Sequence, residues 1–168
     1  MALTMHQATV LPCSRALTSL AAILEKAAAS AQARKIDPAV LLNTRLIPDM
    51  LPLSSQIFIA NDIAGGGAAR LAGVEVPTFE GKDKSLPELI ANTRRTVAYL
   101  GSLKAQQFEG AEDRTISWQT RSASKSMQGM PYLLTHVLPN VYFHVTTAYD
   151  ILRQAGLEIG KKDYLGNT

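Results

Sequence analysis

A chain of 168 residues with a formal net charge of +3 has the length of one domain, here 1–168, and buries a core without help from disulfides or a structural metal. Its cations (Arg15, Arg34, Lys35, Arg45, Arg70, Arg94 and Arg95 among them) are scattered rather than gathered into a patch, which argues against a nucleic-acid partner. A single cysteine, Cys13, closes no intramolecular bridge, and no apolar run approaches the length of a membrane span.

Abundant Ala and Leu with few aromatics favour helix over strand. The opening "MALTMHQATVLP" lacks the basic start and apolar core of a secretory signal; with the lone thiol this gives a soluble, cytoplasmic expectation. Over residues 3–34 the apolar positions Leu17, Leu20, Leu24, Ala27 and Ala31 form one helical stripe. Pro12 removes a backbone donor and predicts a kink or break in that helix. Cys13, among apolar neighbours, reads as a buried thiol. Asp37-Pro38 is an N-cap followed by proline at the first helical position. "TRLIPDMLPL" is a bend, with Pro48 and Pro52, and it launches a second long helix near Leu53. There Leu53, Ile57, Ala60, Ala64 and Leu71 share a side. Gly65, Gly66 and Gly67 interrupt the run, each weakening a helix by roughly 1 kcal/mol relative to Ala, or else allow a close helix crossing or a local bend.

"GVEVPTFEGKDK" is a loop. Ser85 and Glu88 then form a capping box, with Pro87 in the first turn. The third long helix comes next, with Leu86, Leu89, Ile90, Val97, Leu100 and Leu103 inward, ending near Gln107. Residues 109–128 carry no helical stripe and read as a short extended excursion or a loop, with Trp118 as the one large anchor and no evident strand. The last long helix starts near Pro131, is kinked by Pro139, turns Leu133, Val137, Val141, Ala148 and Leu152 inward, and ends at Gly156. The tail, 157–168, has no periodicity and is expected to lie over the surface. Four long amphipathic helices with a longer second connection predict an all-α four-helix bundle.

The chemistry-bearing residues cluster by spacing. His136, Asn140 and His144 recur every four residues, so neighbours in the series share a helix face. Gln56 sits beside the inward Ile57, Asp49 lies at the upstream bend, and Asp62 stands further along. Three readings stand open. Gln56, Asn140 and His144 form a buried seam that satisfies its own hydrogen bonds. Alternatively they line a pocket in which His144 is the acid or base and Asn140 orients it, with Gln56, Asp49 and Asn140 contacting a small-molecule substrate. Or the same three groups hold a divalent metal, nickel or zinc, although amide oxygens are weak ligands for either and no cofactor is the leading expectation. Tyr132, Tyr142 and Tyr149 read as packing residues with hydrogen-bonded hydroxyls.

At "RLIPDMLPLSSQI", "ARLAG" and "LPNVYFHVTTAYDILRQAG…IGKKDYLG" the chain resembles the DUF1993 branch of the DinB/YfiT-like superfamily, over nearly its whole length. The resemblance implies an up-down-down-up bundle with a long second crossover, commonly a homodimer. It also implies a metal site of three histidines, one from the second long helix and two from a His-x-x-x-His in the last, serving thiol transfer or isomerisation. The paired motif falls on Asn140 and His144 and the remaining ligand near Gln56, so two of three ligands are replaced. The expectation is therefore a small-molecule-binding or enzymatic bundle with a degenerate or absent metal site. The alternatives are a non-catalytic dimeric binding or scaffold protein and a divalent-metal-dependent hydrolase or thiol transferase.

Overall fold

Thr4 starts the first helix by a reciprocal capping box: its hydroxyl accepts from the Gln7 amide while the Gln7 side chain accepts from the Thr4 amide. In the computed structural model, which describes residues 2–78, 85–120 and 123–166, α1 then runs unbroken over Met5–Ala33 with Pro12 inside it. The expected break at Pro12 does not occur, because packing outweighs one lost backbone bond: Val10, Cys13, Leu17, Leu20 and Leu24 on the flanking turns are all buried. Asp37 caps α2 (Pro38–Asn43), its carboxylate accepting from the Ala39 amide at 2.9 Å. After the Pro48–Pro52 bend, α3 runs over Leu53–Ala72, through all three glycines, and stops at Gly73 in the left-handed region.

Ser85 caps α4 (Leu86–Ser102), its hydroxyl accepting from the Glu88 amide at 3.3 Å. The helix ends five residues before Gln107 and gives way to a tight turn over Ala105–Phe108. Its buried stripe is Leu86, Leu89, Thr93, Thr96 and Leu100, with Ile90 and Val97 only half-buried. The two threonines serve as core residues because each turns its hydroxyl back onto a carbonyl of its own helix.

Within residues 109–128, where no strand is evident from the sequence, the extended alternative is the one that forms, as two paired strands. β1 (Thr115–Gln119) and β2 (Ser124–Gln128) pair antiparallel, Ile116 opposite Met127 and Trp118 opposite Lys125. Ile116, Trp118 and Met127 share the face turned to the bundle, whereas Ser117 and Ser126 face out.

The hairpin feeds α5 (Gly129–Tyr132), a π turn over Leu133–Val137 and α6 (Leu138–Gln154) in one continuous helical path. The π turn closes with the Leu138 amide bonding the Leu133 carbonyl, one residue wider than an α-turn. It lies immediately before Pro139, whose ring would crowd the carbonyl four residues back, so the expected distortion takes the form of an added residue. Gly156, at φ +85°, ends the path.

Cross-chain contacts give the helix directions. His6 meets Leu103 and Glu25 meets Arg94, so α1 and α4 are antiparallel. Gln56 meets His144 and Gly67 meets Val137, so α3 and α6 are antiparallel. Pro12 and Arg15 share a groove with Tyr142 while Arg34 reaches Ala155, so α1 and α6 run together. The path is up-down-down-up, and the α3–α4 connection is the crossover; its residues 79–84, part of the expected loop, lie outside the described residues. One cluster of buried side chains joins all four long helices. The tail does more than lie over the surface: Leu157 and Ile159 are buried in the core, and α7 (Lys161–Leu165) packs on α1 through a Lys26–Asp163 ion pair of 2.5 Å. Among the described residues no helix is long and apolar enough to cross a membrane.

Candidate functional site between the second and last long helices

Pro52 precedes α3 and offers no side-chain cap. Gln56, in the first turn, is held by its own side-chain contacts instead. Its Nε2 reaches back to donate to the Leu51 carbonyl at 3.1 Å. A carbonyl only accepts, so the NH2 end of the Gln56 amide faces Leu51 and the oxygen faces α6. There Gln56 Oε1 lies 2.6 Å from His144 Nδ1. An amide oxygen also only accepts, so Nδ1 carries the proton and donates to it. Two short-range constraints thereby fix the imidazole tautomer: Nδ1–H is engaged and Nε2 keeps its lone pair. Nε2 has no hydrogen-bond partner among the described residues. Gln56 is buried and His144 half-buried. Burial holds the His144 pKa below the ordinary imidazole value, and Phe143 meets its ring edge-on at 5.2 Å.

Asn140 shares the helix face but not the hydrogen bond. Its Nδ2 donates to the His136 carbonyl at 2.6 Å, within its own helix. The contact that orients His144 therefore comes from Gln56, and Asn140 keeps only its amide oxygen free to point elsewhere. Asp49 is exposed at the bend and Asp62 is exposed on α3. Gln56 and His144 are thus brought together, Asn140 stands one turn away on α6, and Asp49 lies exposed at the bend before α3.

A second polar group lies two turns back along the same path. The His136 ring is stacked with Tyr132 at 5.3 Å and tilted against Trp118 at 4.8 Å. Tyr132 is buried, and its hydroxyl bonds Arg70 of α3. Burial, then Lys125 and Arg70, holds the His136 pKa down. Sequence spacing contains a signal for this group: Tyr132, His136, Asn140 and His144 recur every four residues. Trp118 joins them only through the hairpin, whose pairing local pattern does not signal.

A catalytic zinc needs three protein ligands with strong donors. Around His144 the donor set is one free imidazole nitrogen and one free amide oxygen, since both ends of Gln56 and the Asn140 nitrogen are engaged. Among the described residues no three His, Cys, Asp or Glu side chains converge to hold a metal. These residues do not fit the three-histidine centre that the resemblance implies. Two clefts of about 480 and 500 Å³ lie elsewhere, one beside His6 and Phe108, the other beside Arg15 and Tyr142.

Among solved structures the chain is similar to a DinB family member protein from Shewanella denitrificans, at 39% identity over 98% of this chain and 93% of that one, with a TM-score of 0.90. No functionally curated protein matches it. The family model described as a domain of unknown function, DUF1993, matches residues 5–165. With the fold and nearly the whole length in agreement, the chain belongs to the DUF1993 family and has the DinB-like all-α bundle.

Proposed function

We propose that the chain binds a small molecule at the α3–α6 seam and that His144 Nε2 is the proton-accepting group, with no resident metal. One observation carries this reading: Gln56, clamped between Leu51 O and His144 Nδ1, leaves a neutral imidazole with its second nitrogen unpartnered among the described residues. A purely structural histidine gains most when both nitrogens are bonded. A general base needs the opposite arrangement, one nitrogen anchored and the other free. When Nε2 takes a proton from a bound ligand, Nδ1–H stays on Gln56 Oε1, and that bond strengthens as the ring becomes positive. His144 is the catalytic candidate and Gln56 its positioning residue; Asn140 Oδ1, one turn away, is a ligand contact.

The fragment experiment is direct. Metal-free chain, labelled with ¹⁵N, is screened against neutral and weakly acidic fragments. The expected result is a set of binders that move the His144 ring signals in the native chain and lose affinity in His144→Ala. If no fragment perturbs His144, and His144→Ala costs several kcal/mol of stability, the pair is a structural seam. Stoichiometric nickel or zinc in untagged protein, lost in His144→Ala, would instead favour a metal-dependent hydrolase or thiol transferase.

The assembly proposed is a homodimer. Leu134 and Phe143, on the path that carries the site, are 52% and 54% exposed, large apolar groups that a second copy would cover. Sedimentation at two concentrations, with Phe143→Ser as the disrupting variant, tests it. A dimer with no ligand response would support the non-catalytic scaffold.

A further inference from the structure

The face of α6 opposite His144 carries a groove of about 500 Å³ lined by Pro12, Arg15, Ala16, Tyr142, Tyr164 and Leu165. That volume suits a small ligand. Its floor is apolar or aromatic, and among the described residues no acidic side chain lines it. Arg15 spends only Nε inside the protein, donating to the Leu165 carbonyl at 2.9 Å; its Nη groups have no partner among the described residues. The one carboxylate of α7, Asp163, is already taken by Lys26 and by the Gly160 amide. Tyr164 OH accepts from Thr146 Oγ1 at 3.0 Å, which leaves its phenol proton to donate. Tyr142, 42% exposed at the groove, is an un-ionised phenol at neutral pH like any tyrosine and is a second hydroxyl donor. An apolar slot whose polar side chains can all donate, and whose one charge among the described residues is a guanidinium with no carboxylate partner there, is complementary to an anion with an apolar body.

We propose that this groove binds a small apolar carboxylate, its hydrocarbon on Pro12, Ala16 and Leu165 between the two tyrosine rings and its head group on Arg15. The site is separate from His144 and does not depend on the role assigned there.

Three probes with one eight-carbon chain test it on the full chain: octanoate, octan-1-ol and octylammonium, monitored by calorimetry and by amide shifts. Octanoate should bind about tenfold tighter than the alcohol, as expected for one added charge-assisted contact, and octylammonium weaker than either. The shifts should centre on Arg15, Tyr142, Tyr164 and Leu165. Arg15→Gln should erase the preference for octanoate and Arg15→Lys should largely keep it, although both lose the Nε tether to Leu165. His144→Ala should leave octanoate binding unchanged. Equal affinity for the three probes, shifts centred elsewhere, or Arg15→Lys behaving like Arg15→Gln would overturn the proposal. So would a dimer that buries Tyr142 and Leu165 and is indifferent to octanoate.

Discussion

An amide behind a histidine acts differently from a carboxylate. Both hold the ring by its Nδ1–H, but a carboxylate also stabilises the imidazolium and raises its pKa. Gln56 is neutral, so burial dominates and the pKa of His144 falls. This fixes the sign of the pH effect. A histidine whose folded pKa lies below its unfolded one binds fewer protons when folded, so stability is complete above the ordinary value of 6.5 and is lost as pH falls below it. His136 shifts the same way. Urea midpoints measured from pH 8 to pH 5 should decline below about 6.5, and the decline should flatten when both histidines are replaced. Gln56→Leu removes the acceptor of His144 Nδ1–H and the donor to Leu51 O together; a loss of about 1–3 kcal/mol is expected from the two unpaired groups. An unchanged urea midpoint in that variant would mean that the clamp is absent in solution. Both members of this pair are legible in the sequence, Gln56 beside the inward Ile57 and His144 three residues after the inward Val141. Asn140 is legible as to face but not as to partner. A short amide one turn from a carbonyl of its own helix bonds locally, and spacing carries no information on that competition.

At the scale of elements, the glycine run shows packing outweighing propensity. Gly65, Gly66 and Gly67 are buried inside an unbroken α3. A Cβ on Gly67 would stand 2.8 Å and 3.0 Å from the two methyls of Val137, a β-branched side chain with little rotamer freedom. The close crossing that these glycines allow is therefore Gly67 against the π turn. Gly67→Ala gains about 1 kcal/mol of helix propensity but overpacks the crossing by about 1–3 kcal/mol, so a net loss is expected. Val137→Ala opens the space the new methyl needs. The double variant should lose less stability than the sum of the two singles, and simple additivity would refute the contact. The hairpin is legible only as one of two alternatives, an extended excursion without a pairing, and the π turn not at all. The hairpin offers only Ile116, Trp118 and Met127 as an apolar face, too few to show alternation. The π turn adds one residue to a helical path, which a periodicity of 3.6 does not register over a single turn.

Across the whole molecule, the first helix and the last short helix meet. α1 carries Arg15 and Lys26, which hold Leu165 and Asp163 of the last short helix. The tail has no helical period, which predicts a strap over the surface. Leu157 and Ile159 nonetheless alternate with Glu158, and both sit in the core. Ile159→Ala should therefore behave as a core truncation and cost about 2–4 kcal/mol, where a merely surface-lying residue would cost well under 1 kcal/mol. Thermal or urea unfolding decides between them. The four-helix bundle is legible because four apolar stripes and one longer connection predict it, whereas its up-down-down-up path is implied by the family resemblance and is seen in the cross-chain contacts. The tail's share in the core depends on contacts made over more than a hundred residues of separation, which local pattern does not encode.

The measurement that bears most directly on the proposed chemistry is a long-range ¹H–¹⁵N spectrum of the histidine rings at pH 8. His144 should show a protonated Nδ1 and a bare Nε2, and Gln56→Leu should shift the ring toward the tautomer mixture of free imidazole. A protonated Nε2 in the native chain, or a mixture unaffected by Gln56, would contradict the clamp and with it the assignment of His144 as the base.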